Sequence, residues 1–239
     1  MIINVHAGHN PDGKIGCGAI GLVKESTEAR KIKDEVISQL KQLGHTVYDC
    51  TVDDGSNASD VLKKIVAKCN ANTVDLDVSI HLNAGRNDYV GDSKTGGTEV
   101  FLYSTSSGAA KYAQDVVDAI GALGYNKRGV KVNSSFYVLK NTNAPAMLVE
   151  CLFVDDKDDV ELYDYKSMAT AIVYGIAGQK VTEVVETPAE ELKPAEGATS
   201  GDSKKLYRVQ VGAYGVKDNA AKMAQKLKDA GFDAIVVNS

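Results

Sequence analysis

Long apolar runs are missing from this 239-residue chain, and no stretch approaches the ~20 apolar residues that cross a bilayer. A membrane-spanning helix is therefore excluded as an expectation, and 44% hydrophobic with 25% charged residues is ordinary for a globular protein. No C-x-x-C spacing links the four cysteines Cys17, Cys50, Cys69 and Cys151, so neither a zinc knuckle nor a redox pair is suggested, and reduced, mostly buried thiols are expected. The excess positive charge of a nucleic-acid binder is also lacking, since the net charge is −5. Residues 1–5 read directly into a buried strand with no basic and apolar leader ahead of them, so synthesis and retention in the cytoplasm, until the cell lyses or a membrane pore opens, is the expectation. Proline is scarce, and two of the four fall in residues 179–203, QKVTEVVETPAEELKPAEGATSGDS. That stretch has no sustained apolar period and reads as an exposed linker.

The charge is unevenly spread. Residues 1–178 carry 18 Lys and Arg against 23 Asp and Glu, the linker 2 against 6, and residues 204–239 carry 7 against 3. Length and composition thus divide the chain into a domain at 1–178, a linker at 179–203 and a basic tail at 204–239.

Within the first 178 residues strand-like and helix-like segments alternate. Residues 2–5 form an apolar run, and Ala29, Ile32, Val36, Leu40 and Leu43 then recur at helical spacing until Gly44. Residues 45–50 read as a strand, Ala58, Val61, Leu62, Ile65, Val66 and Cys69 as one helical face, and 76–82 as an alternating strand. Further strands are expected at 98–103, 136–140 and 146–154, with helices near 109–123 and 168–177. This order predicts an α/β fold, a mostly parallel twisted sheet with helices on both faces. The tail predicts one small β-α-β unit, with strands at 206–214 and 232–237 around a helix at 220–230, too short for an independent core.

Only four histidines occur, and two sit where a parallel sheet presents its ligands: His9 just after the first strand, and His81 near the carboxyl end of the 76–82 strand. Glu25 opens the following helix and Glu150 lies in the apolar MLVECLF strand. A hydrolytic zinc site takes three protein ligands, commonly two imidazoles and a carboxylate, and leaves one position open. His9, Glu25 and His81 fit that count, and Glu150 fits the further carboxylate that must move the proton of the attacking water. Plainer readings stand beside these. A histidine at a strand end is commonly a structural hydrogen-bonding residue, and Glu25 is equally a first-turn carboxylate favoured by the helix dipole. Glu28 competes with Glu25 from one helical turn away. His6 competes with His9, although its odd separation makes it point elsewhere. His45 reads as a surface or strand-start residue. Glu150 is the residue a purely structural reading handles badly, because an ionised carboxylate in an apolar strand is costly.

The order VHAGHNPDGKIGCGAIG, KESTEAR, VSIHLNA and APAMLVECLFVDD resembles the zinc N-acetylmuramoyl-L-alanine amidases of bacterial cell-wall lysis, the Amidase_3 family, over residues 1–178. The resemblance implies Zn2+ held by His9, Glu25 and His81, with Glu150 as the catalytic carboxylate, acting on peptidoglycan as a phage endolysin or an autolysin. The family often reads D-P-G-H-G-G where this chain has His6 to Pro11, and a glycine often follows the catalytic glutamate where this chain has Cys151. The tail, LYRVQVGAY followed by an Ala/Lys-rich helix and GFDAIVV, is similar to the first half of a SPOR domain, a peptidoglycan-binding module. A half-module leaves strand edges open, so a homodimer through the tail is expected.

Overall fold

The computed structural model describes residues 1–179 together with two helical positions of the tail, Ala224 and Lys228. The chain divides into two compact units, Met1–Val184 and Val185–Ser239. Residues 180–203 of the expected linker and the two expected tail strands lie outside the described residues, as does the rest of the expected tail helix.

The first unit holds β1 (Ile2–Ala7), α1 (Glu25–Gln42), β2 (Thr46–Asp49), α2 (Ala58–Asn70), β3 (Leu76–Asn83), β4 (Thr98–Leu102), α3 (Ala110–Gly121), β5 (Lys127–Val132), α4 (Tyr137–Asn141), β6 (Ala146–Phe153), α5 (Lys157–Leu162) and α6 (Tyr165–Ala177). One six-stranded sheet runs in the order β2-β1-β3-β6-β4-β5. Every neighbouring pair is parallel except β4 with β6. The mostly parallel α/β sheet expected from the alternation is the one the chain forms.

Alternation along the central strands sorts side chains to two faces. Ile3, Val5 and Ala7 of β1, Leu76, Val78, Ile80 and Leu82 of β3, and Met147, Val149 and Cys151 of β6 join the main core. That core also takes the inner faces of α1, α3 and α6, through Ile32, Val36, Leu40, Val116, Ile120, Met168 and Ile172. On the other face a smaller cluster forms around α2, with Val61, Ile65, Cys69 and, from α4, Val138. Between the helix layers, this second face of the sheet carries the polar residues of the same strands. Asn4 is locked there by Asp77, with Nδ2 2.6 Å from Oδ1.

Three elements differ from expectation, one of them the six-residue helix α5, which falls between the expected 146–154 strand and 168–177 helix. Residues 136–140, FYVLK, have the aromatic and β-branched content of a strand, but only Phe136 is extended and Tyr137–Asn141 is the short helix α4. The turn at Asn133, whose side chain accepts from Ser135 N (3.0 Å) and Ser135 Oγ (2.6 Å), redirects the chain. Consecutive residues Val138 and Leu139 then fill two separate clusters, which suits a helix wedged between neighbours better than a strand on one sheet face. The third difference is β5, KRGVKV, a half-exposed edge strand whose three cations and glycine erase any apolar alternation.

Candidate metal centre

β1 ends at Ala7 and the chain turns through Gly8 to His9, beside the carboxyl end of β3. His9 has φ 65°, a left-handed conformation uncommon outside glycine. The surrounding loop enforces it. Arg30 of α1 donates from Nη2 to the His9 carbonyl at 3.0 Å and to the Val52 carbonyl at 3.2 Å, and the same guanidinium binds Asp53 Oδ1 at 2.6 Å. Buried Asn10 donates to the Ile15 and Gly55 carbonyls, each at 2.7 Å. A strained residue held this firmly places its side chain by design of the loop.

The structure brings His9, Glu25 and His81 together, with their ligand atoms all within 4.8 Å of one another. Glu25 Oε1 lies 3.2 Å from His9 Nε2, 2.9 Å from His81 Nδ1 and 3.3 Å from the amide of Leu82. Its other oxygen accepts from the Ala19 amide at 2.8 Å. Burial pushes the Glu25 carboxyl up, but hydrogen bonds and charge from His81 and His9 outweigh it and hold the group well below the usual carboxylate range. The imidazole planes meet edge to face at 82° with centroids 4.9 Å apart. His9 is 32% exposed at its side chain against 5% for Glu25, which makes the His9 side the open approach.

The donor set fits a divalent metal. Tetrahedral zinc with bonds of about 2.0–2.2 Å spaces its ligand atoms roughly 3.3–3.6 Å apart, so the observed imidazole–carboxylate separations of 3.2 and 2.9 Å need to open by only a few tenths of an ångström. Glycines leave room for the rings: a Cβ on Gly8 would fall 2.0 Å from His81 Cε1, and one on Gly18 would fall 2.5 Å from Glu25 Oε2 and 2.8 Å from His9 Cδ2.

Glu150 is the strand-to-strand partner of His81 on β6, on the same face of the sheet. Its Oε2 is buried and has no hydrogen-bond partner among the described residues. Burial first, and then the negative charges of Glu25 and Glu99, push its pKa up to about 8.

The competing residues fall elsewhere. Glu28 binds Lys31 at 2.9 Å and accepts from Tyr163 Oη at 3.1 Å. His45, just before β2, lies 3.1 Å from the amino terminus through Nδ1. His6 is fully buried opposite Ser79, and neither its ring nitrogens nor Ser79 Oγ has a partner among the described residues. Burial, reinforced by the charge of His81, lowers its pKa to about 3. All four cysteines are free thiols, and Cys50, Cys69 and Cys151 are buried.

Sequence reading missed a second polar group at the site. Glu99 of β4 faces Glu150 across the antiparallel pair. Asn83 Nδ2 (2.8 Å), Arg128 Nε (2.7 Å) and Lys131 Nζ all converge on its carboxylate. Burial pushes its pKa up, but hydrogen bonds and charge from Lys131 and Arg128 outweigh it and keep the group below the usual carboxylate range. The available signal was a lone glutamate, TEVFL, inside an otherwise apolar strand. Of the described residues, Asp88, Asp92 and Asp158 form another acidic group close enough to share an ion. Their oxygens already receive the amides of Gly91, Asp92 and Ser93, which accounts for them as turn residues.

Known proteins resemble this chain over most of its length. An uncharacterised protein of Clostridium perfringens is 31% identical over 234 residues, which are 97% of this chain and 66% of that protein. The chain thus spans just under two thirds of that relative's length. The endolysin of Bacillus phage SPP1 is 29% identical over 216 residues, 83% of this chain and 74% of that protein. Among solved structures, the catalytic domain of the CD27L endolysin targeting Clostridia difficile superposes with a TM-score of 0.67 at 24% identity, covering 76% of this chain and 99% of that domain, which establishes the shared fold. Residues 185–238 match the SPOR domain, starting ahead of the segment at 204 from which that resemblance was drawn. With residues 1–178 matching Amidase_3, described as N-acetylmuramoyl-L-alanine amidase, the chain belongs to that amidase family and carries a SPOR domain after it.

Proposed function

We propose that the protein hydrolyses the amide bond between N-acetylmuramic acid and L-alanine in peptidoglycan, with His9, Glu25 and His81 holding zinc and Glu150 acting as the general base. The observation that carries the proposal is the meeting of two imidazoles on one buried carboxylate, with Glu150 Oε2, unpartnered among the described residues, on the adjoining strand. When bound, zinc supplies a Lewis acid that polarises the scissile carbonyl and acidifies water beside it.

The remaining chemistry belongs to the protein. Glu150 Oε2 accepts the proton of the attacking water and passes it to the alanine nitrogen as the C–N bond breaks, giving a glycan with a free lactyl carboxylate and a stem peptide with a new amino terminus. Its Oε2 has no hydrogen-bond partner among the described residues, which leaves it available for this transfer. Glu25, fixed by the Ala19 and Leu82 amides, sets the orientation of both imidazoles, and the Arg30 clamp on the His9 carbonyl holds the third position. The exposed flank of His9 admits the substrate.

Residues 1–178 serve as the catalytic domain in this reading, 179–203 as a linker, and 204–239 as the part that holds the enzyme on the wall, with pairing of two chains through the tail as a further element. An endolysin role fits the likeness to the phage SPP1 protein, with an autolysin of the same activity as its bacterial counterpart. No helix among the described residues is long and apolar enough to cross a membrane.

The test is Glu150→Gln. The variant should bind zinc as the unmodified protein does, yet release new amino termini from purified walls at least a thousandfold more slowly. Undiminished release would assign the proton transfer to another group.

A further inference from the structure

The group around Glu99 is built to present positive charge beside the reactive carboxylates. Glu99 is 5% exposed at its side chain and stands directly across from Glu150. It holds two cations of β5 at once, Arg128 through Nε and Lys131 through Nζ. One buried negative charge against two positive ones leaves a surplus of positive charge at the rim. Arg128 uses only Nε for Glu99, so its two terminal nitrogens have no protein partner among the described residues. The guanidinium is braced at 4.9 Å over the Phe153 ring, and Lys131 Nζ lies 5.9 Å from the Phe101 centroid.

Two residues three apart on a strand should face opposite ways. Here the pairing of β4 with β5 slips between Thr98 and Glu99: Thr98 faces Lys127 while Glu99 faces Gly129, which makes Arg128 an extra residue. Gly129 has φ 89°, in the left-handed region a bulge commonly needs. The bulge turns Arg128 onto the face of Lys131, and both reach the same carboxylate. β5 is the last strand of the sheet, so among the described residues the outer side of this cationic pair meets no further strand.

We propose that Arg128 and Lys131, positioned by Glu99, form a subsite that reads a carboxylate of the stem peptide on the leaving side of the scissile bond. The inference rests on the amidase reading above. In peptidoglycan the residue after L-alanine is D-glutamate linked through its side chain, and it presents its α-carboxyl either free or as the amide. The carbon of that carboxyl lies roughly 6 Å from the alanine nitrogen, about one and a half residues of extended chain. β5 lies two strand spacings from β6, roughly 10 Å, and both cationic side chains lean back toward β6 over Glu99. The planar guanidinium with its outer nitrogens available matches a carboxylate in two-point geometry, which a neutral carboxamide cannot reproduce.

Two soluble substrates, the γ-methylamides of N-acetylmuramoyl-L-alanyl-D-glutamate and of its D-isoglutamine counterpart, have the side-chain carboxyl blocked as it is in the wall and differ only in the α-carboxyl group. The zinc-loaded full chain should show kcat/KM on the acid roughly tenfold to a hundredfold above the amide, and the ratio should shrink as ionic strength rises. Arg128→Met and Lys131→Met should each bring the ratio toward one. A ratio near one in the unmodified protein, or an undiminished ratio in both variants, would overturn the subsite while leaving the hydrolase intact. Failure to cleave either substrate would overturn the underlying amidase reading and the subsite with it. The preference is first read on the unmodified chain, so it stands independently of whether either variant folds.

Discussion

Adding one methyl group to Gly8 would set a carbon 2.0 Å from His81 Cε1, and the backbone is held in place by the Gly8 amide's bond to the Ile80 carbonyl at 3.0 Å, so the ring must give way. Gly8→Ala is therefore expected to displace the His81 ring and weaken zinc binding at least tenfold, measured by chelator competition, while the circular dichroism of the fold persists. Unchanged affinity would show that His81 is not where zinc binds. His6 provides a separate expectation about stability. With its folded pKa lowered to about 3 from an ordinary value near 6.5, the native state takes up this proton later than the unfolded chain does. Its stabilising effect is complete above pH 6.5 and is lost as pH falls toward 3, with a slope of up to about 1.4 kcal/mol per pH unit. Urea unfolding of His6→Leu should show a shallower acid limb than the unmodified protein, and parallel limbs would contradict the account. At this scale His9, Glu25, His81 and Glu150 were legible because rare residue types stood at strand ends and a helix start. Arg128 and Lys131 were not, because surface cations are common and only the bulge at Gly129 gives these two a shared direction.

The proposed metal site is assembled by three elements, two neighbouring strands and the helix packed on them. β1 and β3 pair directly, and α1 packs behind them through Ala29, Ile32 and Val36, which fixes Glu25 over the strand ends. Arg30, one turn further along α1, ties the helix back to the His9 carbonyl. Arg30→Met should leave all three ligands in place but loosen the loop that keeps His9 left-handed, lowering zinc affinity about 10- to 100-fold. Affinity equal to the unmodified protein would mean that Asn10 and its contacts suffice. Helical periodicity and strand alternation made α1, α2, β3 and β6 readable because each buries one continuous apolar stripe. α4 and β5 escaped for opposite reasons. α4 carries strand-like residues that tertiary packing bends into a helix, and β5 is an edge whose composition answers to solvent and to Glu99 rather than to the core.

Over the whole molecule, all four proposed catalytic positions fall within the unit Met1–Val184, whereas the SPOR match begins at 185. A chain ending at Gln179 should retain hydrolysis of small muramoyl peptides to within a few-fold and lose much of its sedimentation with insoluble walls. Equal wall binding by the two forms would remove the tail from the account, and identical monomeric gel filtration would remove the proposed pairing. The central claim is that zinc among His9, Glu25 and His81 directs attack at the muramoyl–alanine bond. Mass spectrometry of purified-wall digests, with zinc-loaded and chelator-stripped protein side by side, tests it most directly. Zinc-loaded protein should yield glycans whose muramic acid has lost its peptide, together with intact stem peptides beginning at L-alanine, and the stripped protein should yield neither. Peptides cut within the stem, or the same products after zinc removal, would contradict it.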